Sequence, residues 1–124
     1  MNRFALTAQL LDHTGLRRTP AGIAMLRVRV AHQGEQAEAG RLRQVRLETE
    51  LVAFGPVAET LAAQAPGSEL RFTGFLDRRG TQGNQLELHV TEFGLLKGLQ
   101  ASATRLPSPG GATNPGAVLR FIEE

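Results

Sequence analysis

Hydrophobic and polar residues alternate near the start of the chain, which is typical of a strand with one buried face. The positions on that face in residues 3–11 are Phe4, Leu6, Ala8 and Leu10. A turn is predicted at 13–15 and a loop at 17–22. A second alternating strand follows over 23–32, with Leu26, Val28 and Val30 inward and Arg27 and Arg29 outward.

The polar, glycine-bounded segment 33–40 predicts a flexible hairpin loop. A long third strand is predicted over 41–54, with a buried face of Val45, Leu47, Leu51 and Ala53. Gly55-Pro56 then opens a short helix, because proline is favoured in the first helical turn. The apolar stripe of this helix consists of Val57, Ala58, Leu61, Ala62 and Ala65, and Pro66-Gly67 is expected to end it.

Two more strands complete the pattern, a fourth over 68–77 and a fifth over 85–96, joined by a turn-rich hairpin. Their predicted inward residues are Leu70, Phe72, Gly74, Leu76, Leu86, Leu88 and Val90. Five strands with a helix between the third and fourth are the order of the OB-fold, an all-β Greek-key barrel. An SH3-like barrel has no helix at that place.

The pattern dissolves after Gly98, so we expect an OB-fold domain over 1–98 and a flexible tail over 99–124. Residues 102–116 have the Pro-, Gly- and Ser-rich composition of a linker. Residues 117–124 form an apolar tip. Such a tip can dock on the barrel, on a second subunit or on a partner, and the alternative is a passive extension.

Composition excludes several classes of protein. The chain has no apolar run long enough for a transmembrane helix, and its first residues lack the apolar block of a signal peptide. It has no cysteine, hence no disulfide and no thiolate metal site. These features favour a cytoplasmic location with no membrane partner.

No catalytic constellation is recognisable in the sequence. His13, His32 and His89 are far apart and lack metal-ligand spacing. Glu48 and Glu50 are two apart on one strand face, where cross-strand ion pairs with Arg27 or Arg29 are expected. We therefore predict a non-enzyme that needs no cofactor and no metal.

Arginine dominates the basic residues: the net charge is only +2, but 13 of 14 are Arg. Arginine suits phosphate binding and base stacking, although a GC-rich genome would produce the same bias. Parity places Arg27, Arg29, Arg43 and Arg46 on one sheet face, with further arginines at strand ends and in loops. The predicted nucleic-acid-binding set is Arg17, Arg18, Arg27, Arg29, Arg41, Arg43, Arg46, Arg78 and Arg79. The alternative is a solvated face on which the strand arginines pair with Glu48, Glu50 and Glu87.

Aromatic residues are scarce, with no Trp or Tyr and six Phe. Phe4 and Phe72 fall on inward positions. By parity Phe54, Phe75 and Phe93 face outward, where each could stack a base or fill a subunit interface.

Five segments carry a family resemblance: Asn2-Arg3, Leu16-Arg17-Arg18, Gly22-Ile23, Glu38 to Gln44 and Arg71 to Leu76. Over residues 1–96 the chain resembles the bacterial primosomal replication protein N (PriB) family. The resemblance implies a homodimer that binds single-stranded DNA, contacts the helicase PriA and other primosome proteins, and assists helicase reloading at stalled forks. It also implies a DNA surface that includes Arg18, Arg43, Arg46 and the 77–85 hairpin with Gln82 and Asn84. Arg46 stands where a family member can have an aromatic platform.

Two other functions are compatible with the sequence. One is a general single-stranded DNA-binding protein, and the other is an OB-fold that acts mainly as a protein-interaction module. For the dimer we expect pairing through the first strand, because the outer face of residues 3–9 is nearly uncharged.

Overall fold

The structure is a computed structural model that describes residues 1–96. The tail and its apolar tip therefore lie outside the described residues, and the boundary at Gly98 stays a prediction. The elements, in chain order, are β1 Phe4–His13, β2 Arg17–Arg18, β3 Ala24–Glu38, β4 Arg41–Phe54, α1 Pro56–Ala62, β5 Glu69–Arg78 and β6 Leu86–Leu95.

A single sheet in the order β1-β5-β6-β4-β3-β2 closes on itself, because β1 also pairs with β3. The first half of β1 pairs with β5, from Phe4–Gly74 to Gln9–Glu69. Its second half pairs with β3, from Gln9–Ala31 to His13–Val28, with a bulge between Leu10 and Asp12. β4 and β6 run parallel over Leu51–Ala53. Five barrel strands with one short helix between β4 and β5 confirm the predicted OB-fold.

The core fills the inside of this barrel with side chains from β1, β3, β4, β5, β6 and α1. The largest fully buried side chains are Phe72, Leu10, Leu26, Leu51, Leu61, Leu70, Val28, Val30 and Val52. Helix α1 follows Gly55, whose positive φ of 74° turns the chain, and it buries Ala58 and Leu61. Within residues 1–96, no helix has the length and apolarity needed to cross a membrane.

The predicted loop over 33–40 is wrong, because β3 and β4 continue as a two-stranded ribbon past the barrel. Their pairing runs without a break from Met25–Phe54 to Glu38–Arg41. Only Ala39 and Gly40 form the turn, with φ values of 54° and 76°. Two positive φ angles are typical of hairpin turns whose twist matches that of the strands. Arg17 and Arg18 are likewise not in a loop but form β2, opposite Met25 and Ala24.

The predicted burial of three residues and the predicted exposure of a fourth are also wrong, each for a local reason. Leu47 lies on the ribbon beyond the barrel and Leu86 at the start of β6, so both are exposed. Ala65 is exposed because the helix ends before it. Phe93 does not face outward: Thr91 and Glu92 are both exposed, which breaks the alternation, and Phe93 packs against the core.

Candidate nucleic-acid interface

Three aromatic rings stack across the outer side of the barrel. The imidazole of His89 on β6 lies between Phe54 of β4, at a centroid distance of 5.7 Å, and Phe75 of β5, at 4.8 Å. The interplanar angles are 18° and 9°. Both phenylalanines remain more than a third exposed. The alternation in the sequence placed Phe54 and Phe75 outside, but gave no sign that His89, which had no expected role, joins them.

Gly74 makes this stack possible because it lets β5 approach β6 closely. A Cβ atom at position 74 would collide with the carbonyl oxygen of His89 and touch Phe4 at 3.0 Å. The close approach places Phe75, the next residue, against the His89 ring.

An ion cluster lies beside the stack and joins four segments of the chain. Arg27 of β3 donates hydrogen bonds to Glu50 of β4 at 3.4 Å and to Glu87 of β6. Arg79, in the β5–β6 hairpin, reaches the same two carboxylates, with distances of 3.5 Å to Glu50 and 3.9 Å to Glu87. The Glu87 side chain is only 12% exposed, and its second oxygen lies 3.6 Å from His89 Nε2.

A second group of ion pairs surrounds Arg29. Its guanidinium contacts Asp12 at 3.3 Å and Glu48 at 3.2 Å. The hydrogen bond from Arg29 to Asp12 and the charge of Asp12 raise the pKa of Arg29 above its ordinary value, so Arg29 stays cationic. With Arg27–Glu50, these contacts confirm the cross-strand ion pairs expected of Glu48 and Glu50.

The β3–β4 ribbon carries three more of the predicted arginines, and they do not share one side. Arg46 lies opposite Gln33, and Arg43 lies opposite Gln36. Because side chains alternate along a regular strand, Arg43 faces away from Arg46, and the expected single face of four arginines is wrong. Arg43 pairs with Glu38 at 2.6 Å. Within residues 1–96, no carboxylate pairs with Arg41 or Arg46.

The loop arginines also divide between paired and unpaired. Arg18 contacts Glu59 of α1 at 3.5 Å, away from the ion cluster. Arg17 and Arg78 are exposed and have no carboxylate partner among the described residues. The β5–β6 hairpin is closed by a hydrogen bond from Arg79 N to Gln85 O, and Gln82 and Asn84 are exposed on it.

The predicted set therefore splits in two. Arg17, Arg41, Arg46 and Arg78 present guanidinium groups without a carboxylate partner in residues 1–96. The ion-paired members are Arg18, Arg27, Arg29, Arg43 and Arg79. On the strands, the alternative of pairing with Glu48, Glu50 and Glu87 is correct for Arg27 and Arg29. Arg43 pairs with Glu38 instead, and Arg46 has no carboxylate partner in residues 1–96. In the described part of the chain, no three acidic or histidine side chains are grouped as a metal site.

A cleft of about 480 Å³ opens where β1 and β3 separate, beside the ribbon. Thr7 and Gln9 line it from β1, and Arg46 lines it from β4. His32 Nδ1 donates to the carbonyl oxygen of Thr7 at 2.6 Å. No strand of the described residues pairs with this side of the first half of β1, so an edge is left there.

Comparisons with known proteins identify the family. Residues 2–92 match the family model described as another single-strand binding protein family. The replication restart protein PriB of Nitrosomonas europaea is 32% identical over 91 residues, which are 73% of this chain and 84% of that protein. PriB of Bordetella pertussis is 35% identical over 92 residues, covering 74% of this chain and 86% of the relative. The chain belongs to the PriB family.

Solved structures agree with this membership. PriB of Ralstonia solanacearum superposes with a TM-score of 0.70 at 31% identity, and the match covers 77% of this chain and 99% of that one. The wild-type single-stranded DNA-binding protein of Thermus aquaticus has a TM-score of 0.64 at 23% identity, covering 80% of this chain and 52% of that one. This second likeness shows the OB-fold alone. The resemblance found in the sequence is thus confirmed for the fold and for the PriB family.

Proposed function

We infer that the chain is a single-stranded DNA-binding accessory protein of replication restart. The observation that carries this inference is a PriB-family OB barrel whose ribbon and hairpin present Arg41, Arg46 and Arg78 without carboxylate partners in residues 1–96. Such guanidinium groups neutralise phosphates, and the exposed phenylalanine rings of the barrel are a surface on which bases bind. The chain acts as a binding protein and not as an enzyme, and it works in the cytoplasm.

Each predicted site residue has a role in this proposal. The DNA backbone contacts Arg17, Arg41, Arg46 and Arg78 first. The ion-paired residues Arg18, Arg27, Arg29, Arg43 and Arg79 reach a phosphate only by giving up a carboxylate. The exposed amides of Gln82 and Asn84 supply polar contacts from the hairpin. The exposed edges of Phe54 and Phe75 offer the aromatic surface.

The finer part of the proposal concerns assembly. The chain acts as a homodimer, contacts PriA and other primosome proteins, and assists reloading of the replicative helicase at stalled forks. The edge of β1 beside the cleft supports the dimer, because an open strand edge pairs readily with its copy across a two-fold axis. The curated relatives are named for replication restart, which supports the primosome role.

Two measurements test this proposal. Fluorescence anisotropy with labelled oligo-dT and with a duplex of equal length should show preferential binding of the single strand. Equal binding to both, or binding to neither, would contradict the DNA role. Helicase loading on a forked DNA by PriA of the same organism should then increase when the chain is added. If single strands bind but loading is unchanged, the chain is a general single-stranded DNA-binding protein.

A third role, as a protein-interaction module, is favoured by the ion-paired state of five of the predicted arginines. In the same two measurements, this role predicts the reverse of the result expected for a general single-stranded DNA-binding protein. PriA-dependent loading would rise, while oligo-dT binding would stay undetectable even at low salt.

A further inference from the structure

Glu50 and Glu87 hold two of the predicted DNA-binding arginines in place. Arg27 lies near the start of β3 and Arg79 in the β5–β6 hairpin, yet both contact these two carboxylates. Three groups that can carry positive charge, Arg27, Arg79 and His89, converge on Glu87. Each carboxylate therefore lies where an anion bound by Arg27 and Arg79 would lie.

A carboxylate and a phosphate are alternative partners for the same guanidinium. Both accept charge-assisted hydrogen bonds from its fixed fork of donors. A phosphate that approaches Arg27 must displace a carboxylate that is already bonded there. It must also come close to that carboxylate, whose charge has the same sign, in a place where Glu87 is largely withheld from water.

The register of the strands does not rest on this cluster. The register of β3, β4 and β6 is set by the buried residues Leu26, Leu51 and Val90 on the inner side of the barrel. The more exposed Arg79–Glu50 pair contributes little to stability, because the Coulomb attraction between solvated charges is offset by lost side-chain freedom. An effect of these carboxylates on binding is therefore to be expected beside any effect on stability.

Resting on the DNA-binding function inferred above, we propose that Glu50 and Glu87 are built-in competitors of the DNA backbone. They keep Arg27 and Arg79 occupied, so single-stranded DNA is held mainly by the arginines that have no carboxylate partner in residues 1–96. Arg79 is the exchangeable member, because it lies on a hairpin and its distances to the carboxylates are longer than those of Arg27. The result is a weaker and more easily reversed complex.

The test neutralises the two carboxylates without changing their shape. Glu50→Gln, Glu87→Gln and the double variant are titrated with labelled oligo-dT over a series of salt concentrations. Glu92→Gln is the matched control, because Glu92 is also on β6, is exposed and belongs to no ion pair of the described residues. Thermal melting verifies that each variant is folded. Should Glu87→Gln fail to fold, Glu50→Gln alone carries the test, since Glu50 is 40% exposed and contacts both arginines.

We expect the double variant to bind about tenfold more tightly at low salt, because two more arginines become available to phosphates. The slope of log K against log salt should steepen by about 1.4, at about 0.7 for each additional phosphate contact on a single strand. Glu92→Gln should change affinity by less than about twofold.

Three results would overturn the proposal. If the double variant gains no more affinity than Glu92→Gln, the effect is one of overall charge. If it binds more weakly than the natural chain, the carboxylates orient the arginines for DNA and do not compete with it. These two results leave the DNA-binding function intact, since the natural chain still binds. If neither the natural chain nor the double variant binds, both the competition and the DNA-binding function are refuted.

Discussion

Arg43 and Arg46 point to opposite sides of the β3–β4 ribbon, although only two residues separate them. Their partners across the ribbon are Gln36 and Gln33, in a pairing without a bulge. Arg43 is bonded to Glu38, whereas Arg46 lines the cleft beside β1. A strand of DNA that follows one side of the ribbon therefore contacts one of these residues and not the other.

We predict that Arg46→Ala weakens oligo-dT binding more than Arg43→Ala. Loss of one phosphate contact should reduce affinity about fivefold at low salt and flatten the salt slope by about 0.7. Arg43→Ala should reduce affinity less than about twofold, because the Arg43 guanidinium is already neutralised by Glu38. Anisotropy titrations of both variants decide this. Equal losses would mean that the DNA contacts both sides of the ribbon.

The edge of β1 gives a specific test of the dimer. The N–H of Leu10 donates to the carbonyl oxygen of Ser68, and its carbonyl oxygen accepts from the N–H of Gly67, so both backbone groups point toward β5. Gln9 pairs with β3 on the other side of the strand. Because backbone groups alternate in direction along a strand, the N–H of Ala5 points to the open edge. Ala5→Pro removes this donor without removing a β1–β5 hydrogen bond.

Light scattering should give about twice the 13.4 kDa chain mass for the natural protein and about the chain mass for Ala5→Pro. Ala5→Val keeps the donor and should remain dimeric. A dimeric Ala5→Pro variant would place the interface elsewhere, and a monomeric natural chain at tens of micromolar would contradict the dimer itself.

The close approach of β5 and β6 predicts a large effect on stability. Gly74→Ala forces a methyl group against the His89 carbonyl, so the two strands must separate. Urea denaturation should show a loss of about 3 kcal/mol in the free energy of unfolding, at the upper end for overpacking. Gly94→Ala is the matched control, because a Cβ there meets no atom within 4 Å, and it should change the value by about 0.5 kcal/mol or less. Equal effects would contradict the packing account.

The aromatic stack predicts a separate contribution to binding. Phe75→Leu keeps an apolar side chain but removes the ring, so it should lower oligo-dT affinity about fivefold with an unchanged salt slope, because stacking releases no counterions. Phe93→Leu is the control, since Phe93 packs against the core. An unchanged affinity of Phe75→Leu would leave the stack with a structural role only.

Much of the fold followed from the sequence, because alternation reports burial wherever one strand face is inside the barrel. Leu10, Leu26, Leu51 and Phe72 were all placed correctly in this way. Alternation failed on the outer part of β3, residues 33–38, where most side chains are exposed and the polar sequence resembles that of a loop. At Phe93 it failed because the two preceding residues are both exposed, so the inward and outward positions are exchanged from there on.

The candidate site was less predictable, since it depends on contacts between distant segments. The positions of the arginines and the pairing of strand arginines with Glu48 and Glu50 could be predicted from the chain. The partners of Arg18, Arg43 and Arg79 could not. The Arg79–Glu50 contact joins the β5–β6 hairpin to β4. Whether these two side chains meet depends on the register of all the barrel strands. The stacking of His89 between two phenylalanines had no signal in local sequence, because it depends on the parallel β4–β6 pairing and on Gly74.

Binding of single-stranded DNA through the arginines can be measured in one titration. Labelled oligo-dT is titrated with the natural chain at several salt concentrations, beside the Arg41→Ala/Arg46→Ala/Arg78→Ala variant. We expect log K to fall linearly with log salt and the variant's slope to be flatter by about 2, or about 0.7 for each of three lost phosphate contacts. The same affinity and slope for both proteins, or no binding by the natural chain at low salt, would contradict this expectation.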